Sequence, residues 1–214
     1  MIVNERVVAY INSLNCGNSD ICNTIEKEAI ADEVPIIRKE MGNLLKVLLQ
    51  LVQPERILEV GTAVGYSSIL MSENMPQNCR ITTIENYEKR IPVAKSNFKR
   101  AGKEEVITLL EGDAMDILKE LDGTYDFIFM DAAKGQYINF LPELLRLMPA
   151  GGLLISDNVL QEGDIVESRY GVTRRNRTIH TRMREYIYTL THAEQLETSI
   201  VPIGDGITLS VKKG

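Results

Sequence analysis

Apolar residues in this chain first recur at helical spacing and then in short, dense runs, and the change falls near Gln53. From about Asn4 to Gln53 no strand-like run occurs. That pattern predicts helices in three pieces, broken at Gly17-Asn18-Ser19, with Ser19 or Asp20 as an N-cap. Val34-Pro35-Ile36-Ile37 predicts an extended entry to a helix over Arg38–Val52, because a proline pushes the residue before it out of helical geometry. From Arg56 the runs alternate with helical segments. Strands are predicted around Ile57–Val60 and over Arg80–Ile84, Val106–Leu110, Phe127–Met130 and Leu153–Ser156; helices open at Tyr66 and cover Tyr87–Ala101, Tyr137–Leu147 and Asn176–Thr191. This alternation is the mark of βαβ units and a parallel sheet. Thr198–Ile203 and Gly206–Lys212, joined by Gly204-Asp205, have too short a link for a crossover and must run antiparallel.

No repeat, linker or low-complexity tract interrupts the pattern, so residues 1–214 read as one domain. Residues 1–53 form a helical layer that serves as scaffold or lid, and residues 54–214 form the α/β core. At 44% hydrophobic residues the chain can bury a full core, and no apolar run approaches the roughly twenty residues that span a bilayer. The net charge of −6 offers no global field for nucleic acid, so any basic surface has to be local. Cys16, Cys22 and Cys79 are odd in number and unpaired in spacing, which disfavours a disulfide framework or a zinc site. Free thiols and the lack of a signal-like N-terminus point to the cytoplasm.

The chemistry gathers where the predicted strands end, since ligands of open parallel sheets bind beyond the carboxyl ends. In Glu59-Val60-Gly61-Thr62-Ala63-Val64-Gly65-Tyr66-Ser67, Gly61 lets the backbone approach a ligand and Gly65 lets the next helix pack close. The spacing is not the G-x-G-x-x-G of a pyrophosphate cradle. Glu59 suits a cationic ligand, of which S-adenosylmethionine, with its sulfonium and ammonium, is one; a turn that only packs helix on strand fits the same loop. Glu85, at the end of the second strand, is placed to accept ribose hydroxyls. Gly112-Asp113-Ala114 can hold an adenine edge, although Asp113 would equally cap a helix. Asp131, Asp157 and Asn158 would converge if the fourth and fifth strands are neighbours, and an all-oxygen set suits Mg²⁺ or another hard divalent ion. Lys134 lies three residues beyond Asp131, where it can take a proton or offset an oxyanion. His180 and His192 have no nucleophile pattern nearby.

Taken together, Glu59-Val60-Gly61-Thr62-Ala63-Val64-Gly65-Tyr66-Ser67, Asp131-Ala132-Ala133-Lys134-Gly135-Gln136-Tyr137 and Asp157-Asn158-Val159-Leu160 resemble the cation-dependent class I O-methyltransferases related to catechol and caffeoyl-CoA methyltransferases. The resemblance runs from about Val34 to the C-terminus. It implies a Rossmann-like class I methyltransferase fold: a seven-stranded, mostly parallel sheet with an antiparallel last strand and helices on both faces. It also implies S-adenosylmethionine at Val34, Glu59, Gly61, Thr62, Gly65, Tyr66, Ser67, Glu85, Gly112, Asp113, Ala114 and Asp131. Mg²⁺ would sit on Asp131, Asp157 and Asn158, with Lys134 and Asp131 as catalytic groups, in a homodimer.

Within that family, Val34-Pro35-Ile36, the arginine stretch after Tyr170 and Val201-Pro202-Ile203-Gly204-Asp205-Gly206 resemble the bacterial branch that methylates 5-hydroxyuridine at the tRNA wobble position. Independently of that likeness, six arginines, including Arg174, Arg175 and Arg177, lie within Arg169–Arg184 with no acid among them. Guanidinium forks pair with phosphates and stack on bases, as a surface holding an anticodon loop would require. A basic loop that is merely solvated or meets a partner's acids, and a small-molecule substrate with catechol-like vicinal oxygens, remain the alternatives.

Overall fold

Seven short strands carry the core. They are β1 (Arg56–Val60), β2 (Arg80–Glu85), β3 (Ile107–Glu111), β4 (Phe127–Met130), β5 (Leu153–Ser156), β6 (Leu196–Val201) and β7 (Ile207–Lys212). The central β1, β2, β4 and β5 are almost wholly buried, and the outer β3 and β6 are largely open. The structure is a computed structural model and describes residues 2–214. The strands form one sheet in the order β3-β2-β1-β4-β5-β7-β6. Neighbours among β1 to β5 pair in parallel. β7 alone is reversed, wedged antiparallel between β5 and β6. The short link Pro202–Gly206 forces that reversal.

Side chains alternate across the sheet and so build two cores. Ile57, Ile81, Phe127, Phe129 and Ile155 face one way, against Met41, Leu45 and Leu49 of α3 (Lys39–Val52), Ile69 and Leu70 of α4 (Tyr66–Asn74) and Phe98 of α5 (Ile91–Arg100). Leu58, Val60, Ile84, Ile128, Met130 and Leu154 face the other way, against α6 (Ala114–Glu120), α7 (Tyr137–Leu147) and α8 (Arg177–His192). The N-terminal layer is α1 (Glu5–Ser13), α2 (Asp20–Ala31) and α3, with Ser19 capping α2 through the Cys22 N–H. α1 buries no residue. No helix among the described residues is long and apolar enough to cross a membrane.

Two of the expected elements are shifted by more than one residue. α5 begins at Ile91, not Tyr87, because Pro92 has no N–H and is tolerated only in a first turn. β6 begins at Leu196, whose buried side chain extends the ladder to Lys212, and it ends before Pro202, which cannot donate to the ladder.

Candidate active site

The chain leaves β1 toward β2 on one side and returns through β4 on the other, so a crevice opens beyond the strand ends at this switch point. A cleft of about 800 Å³ lies there. Its walls are the end of β1 (Gly61 to Ala63, with Tyr66 and Ser67), Glu85, the Gly112–Ala114 bend, Asp131 to Lys134, Asn158, and Pro35 to Ile37 from the N-terminal layer.

On the β1 side the backbone is drawn tight. Gly61 has φ +109°, and a Cβ there would stand 2.0 Å from the Asp131 carbonyl oxygen. The N–H groups of Gly61 and Thr62 both donate to the Ile84 carbonyl at 3.1 Å. The nearly buried Glu85 carboxylate accepts the Ala63 N–H at 2.7 Å through Oε2, and those of Asn86 and Tyr87 at 3.0 and 2.8 Å through Oε1. Those bonds fix its orientation, occupy both lone-pair sites of Oε1 and leave one on Oε2 for a ribose hydroxyl. Asp113 caps α6, accepting the Met115 N–H at 2.8 Å, and stays exposed at the rim of the cleft.

On the β4–β5 side, β4 and β5 are parallel neighbours, and the Asp157 N–H donates to the Met130 carbonyl at 2.9 Å. Asp131 and Asp157 therefore leave adjacent strands in register. Asn158, at φ 59°, donates from Nδ2 to Asp131 Oδ1 at 3.1 Å, and its own N–H donates to Asp157 Oδ1 at 2.6 Å. The Tyr137 hydroxyl sits beneath, 3.1 Å from the Asp157 carbonyl. Burial raises the Asp131 carboxyl above its ordinary range, opposed by the Asn158 bond and by Lys134. Asp157 is pushed up to about 7, first by burial and then by the Asp131 charge. Lys134 Nζ lies 3.3 Å from Oδ2 of Asp205, a third carboxylate close enough to raise Asp157 further. Three carboxylates thus face one ammonium, an excess of acid that a divalent cation would balance.

Residues 18–213 match the family described as O-methyltransferase. The chain is 38% identical over 170 residues to a catechol O-methyltransferase from Niastella koreensis, covering 76% of each chain. It is 34% identical over 182 residues to caffeoyl-CoA O-methyltransferase 2 from Populus trichocarpa, covering 78% of this chain and 71% of that one. Among solved structures, the O-methyltransferase TomG from Streptomyces achromogenes, in complex with S-adenosylmethionine, superposes with TM-score 0.87 at 26% identity over the whole of both chains. The chain belongs to the O-methyltransferase family. It is an S-adenosylmethionine-dependent O-methyltransferase of the catechol and caffeoyl-CoA type.

Of the residues expected at the donor site, Gly61, Thr62, Tyr66, Ser67, Glu85, Gly112, Asp113, Ala114 and Asp131 line the cleft. Glu59, Gly65 and Val34 do not. Glu59 is fully buried, and its carboxylate accepts the hydroxyls of Ser67 at 2.5 Å, Thr83 at 2.6 Å and Ser68. Burial raises its carboxyl while the three hydroxyls oppose the rise. The geometry corrects its role as a direct partner of a cation: it reaches the cleft through Ser67, and through Thr83 and Thr62, whose hydroxyls stand 2.6 Å apart. Gly65, at φ +84°, starts α4, and a Cβ there would lie 2.5 Å from Phe98, so its part is packing. Val34 turns toward Ile25, Pro92 and Asn97, between α2 and α5, and its neighbours Pro35 to Ile37 meet the cleft instead.

Asp131, Asn158 and Lys134 line the cleft, and Asp157 lies just behind. Among the described residues no group of three His, Cys, Asp or Glu is placed to hold a metal. The donor set here is two carboxylates and an amide, which fits a hard ion that keeps waters. Ligation through oxygen requires the Asn158 amide to turn over from its bond to Asp131.

None of the arginines of the Arg169–Arg184 stretch lines the cleft, and the stretch meets it only through the turn that carries Lys134. Arg182 donates to the Gly135 carbonyl at 2.9 Å, tying α8 to the 3-10 turn Lys134–Gln136. Arg177 lies over the exposed Tyr170 ring, 5.6 Å from its centroid. Arg169, Arg174 and Arg175 are exposed and, among the described residues, none of the six arginines pairs with an acid. His180 is buried, with Nε2 3.1 Å from the Glu167 carbonyl. Sequence reasoning missed Asp205 as a site residue, although its Gly-Asp-Gly turn was the available signal.

Proposed function

We propose that the protein methylates the 5-hydroxyl of 5-hydroxyuridine at the wobble position of tRNA, using S-adenosylmethionine and Mg²⁺ or another hard divalent ion. The observation that carries the RNA reading is the arginine stretch, free of intramolecular acids and joined by Arg182 to the turn bearing Lys134. An unpaired loop base can be splayed into such a cleft at modest unstacking cost.

The target hydroxyl stands beside the C4 carbonyl, so the substrate offers two vicinal oxygens. A divalent ion on Asp131, Asp157 and Asn158 would hold both oxygens and acidify the hydroxyl. Lys134 takes that proton or offsets the negative charge left on the oxygen. Glu85 holds the donor's ribose, and Thr62 and Ser67, oriented from behind by Glu59, hold its amino-acid end. The substrate oxygen then attacks the methyl in line, the carbon–sulfur bond breaks and S-adenosylhomocysteine leaves. Pro35 to Ile37 close the cleft from the N-terminal layer and exclude water. The active unit is a homodimer of single-domain chains, with the exposed apolar residues Val7 and Ile11 of α1, Leu14 just after it, and Val47 and Leu51 of α3 covered by the second copy.

A second reading, methylation of a small catechol-like molecule, is favoured by the 38% identity to a catechol O-methyltransferase. Both readings share the chelating chemistry and differ in what lies outside the cleft. Labelled S-adenosylmethionine, supplied with Mg²⁺ or EDTA to tRNA lacking the wobble methoxy group and to catechol in parallel, decides between them. Metal-dependent label in tRNA supports the proposal, and label in catechol alone overturns it.

A further inference from the structure

We propose that Asn97 is a positioning residue that sets the turn between β1 and α4 against the methyl donor. The inference rests on the reading of Glu85 as the acceptor of a ribose hydroxyl. The turn, at residues 62–65, holds Ala63 at φ 48°, a left-handed conformation that a residue with a Cβ keeps only where its surroundings impose it. Three bonds impose it. The Gly65 N–H donates to the Thr62 carbonyl at 2.8 Å and closes the turn. The Ala63 N–H donates to Glu85 Oε2, the oxygen that keeps a lone pair for the donor. The third comes from behind: Asn97 Nδ2 donates to the Val64 carbonyl at 2.9 Å. Val64 is 5% exposed, so without Asn97 that carbonyl would be shut away from water and left unpaired.

Asn97 is itself directed. It is buried on α5 beside Phe98, whose ring lies where a Cβ at Gly65 would fall, so α5 packs straight against the turn. An amide can present either its oxygen or its nitrogen, and here a neighbour makes the choice. Asn97 Oδ1 accepts Arg100 Nη1 at 3.0 Å, which leaves Nδ2 for Val64. Arg100 is in turn gripped by both oxygens of Glu28 on α2, at 2.7 and 2.8 Å. A line of bonds therefore runs from the N-terminal layer through Glu28, Arg100 and Asn97 to the turn, and from the turn through Ala63 to Glu85. The Glu28–Arg100 pair lies at the surface, where water screens it, while the bond to Val64 is buried. Most of the effect on the donor thus falls to Asn97.

Asn97→Leu keeps the size of the side chain and removes its polar atoms. Arg100→Met, at an exposed position, leaves Asn97 in place with its amide no longer directed. Donor Kd is read by calorimetric titration with S-adenosylmethionine and Tm by scanning calorimetry. kcat at saturating donor is read with whichever acceptor, tRNA or catechol, the wild type turns over. Asn97→Leu is expected to raise donor Kd about tenfold and to leave kcat at saturating donor nearly unchanged. Arg100→Met should raise Kd about threefold. In a Glu85→Ala background Asn97→Leu should move Kd by less than about twofold, while its loss in Tm is the same in both backgrounds. A purely structural role would move Kd and Tm together. Wild-type Kd in Asn97→Leu, or in Arg100→Met should Asn97→Leu not fold, overturns the inference alone, as does an equal loss of affinity with and without Glu85. An unchanged Kd in Glu85→Ala overturns it together with the reading of Glu85 at the ribose.

Discussion

Replacing Asp157 by Asn removes a carboxylate whose ionised form is disfavoured in the metal-free fold. The expected consequence is a variant that is more stable and yet inactive. Asp157 is raised from 3.8 to about 7 by burial and by the charge of Asp131. A carboxyl with a raised folded pKa lends stability at low pH that is lost as pH climbs from about 4 to about 7. Above that window the cost is complete, and the gap corresponds to roughly 4 kcal/mol. This is a ceiling, because part of the cost is repulsion from Asp131 and lapses where Asp131 is itself protonated. In EDTA at pH 8, Asp157→Asn should melt above the wild type, by on the order of 10 °C if the full amount were realised. The difference should shrink as pH falls through the same window. Saturating Mg²⁺ should raise the wild-type Tm at pH 8 and flatten its pH dependence, since an ion that binds only the folded state stabilises it. The variant should respond little to Mg²⁺ and should lose metal-dependent methyl transfer. Scanning calorimetry across pH, with EDTA or Mg²⁺, reads every part of this. A variant less stable than the wild type at pH 8 in EDTA would refute the reasoning, because the carboxylate would then be contributing to the fold and not costing it.

Gly61→Ala would press a Cβ to 2.0 Å from the Asp131 carbonyl oxygen at a φ that favours glycine; urea unfolding should show a loss of at least about 3 kcal/mol. Glu85→Ala should weaken donor binding about tenfold to 10²-fold by calorimetric titration, as a charge-assisted bond to the ribose is lost; an unchanged Kd would remove Glu85 from the ribose. Arg174→Ala combined with Arg175→Ala should weaken tRNA binding and reduce its salt slope by about 2. Equal binding to the wild type at every salt concentration would return those arginines to solvent.

The parts of the site that could be read along the chain are those whose chemistry is local. A buried strand ending in an acid announces both the strand and the crevice, and that places Glu85, Asp131, Asp157 and Asn158 at the strand ends. Tyr137–Leu147 and Phe127–Met130 have the bounds expected, because dense apolar runs are flanked there by glycines and acids. What escaped were relations between distant residues. Asp205 meets Lys134 across 71 positions, through a reversed strand inserted between two that run the other way. No periodicity encodes that meeting. Glu59 was legible as an acid before a glycine loop, but whether it faces ligand or protein depends on which side of β1 the alternation sets it. It lies on the side of Ile57, beneath α4, where the Ser67, Ser68 and Thr83 hydroxyls enclose it. The fold has thus spent two buried acids, Glu59 and Asp205, on holding other side chains in place and has left Asp131 and Asn158 open to the cleft, with Asp157 just behind them. A motif names the residues at the surface of such a site, and the carboxylates behind them become visible only when the sheet is closed.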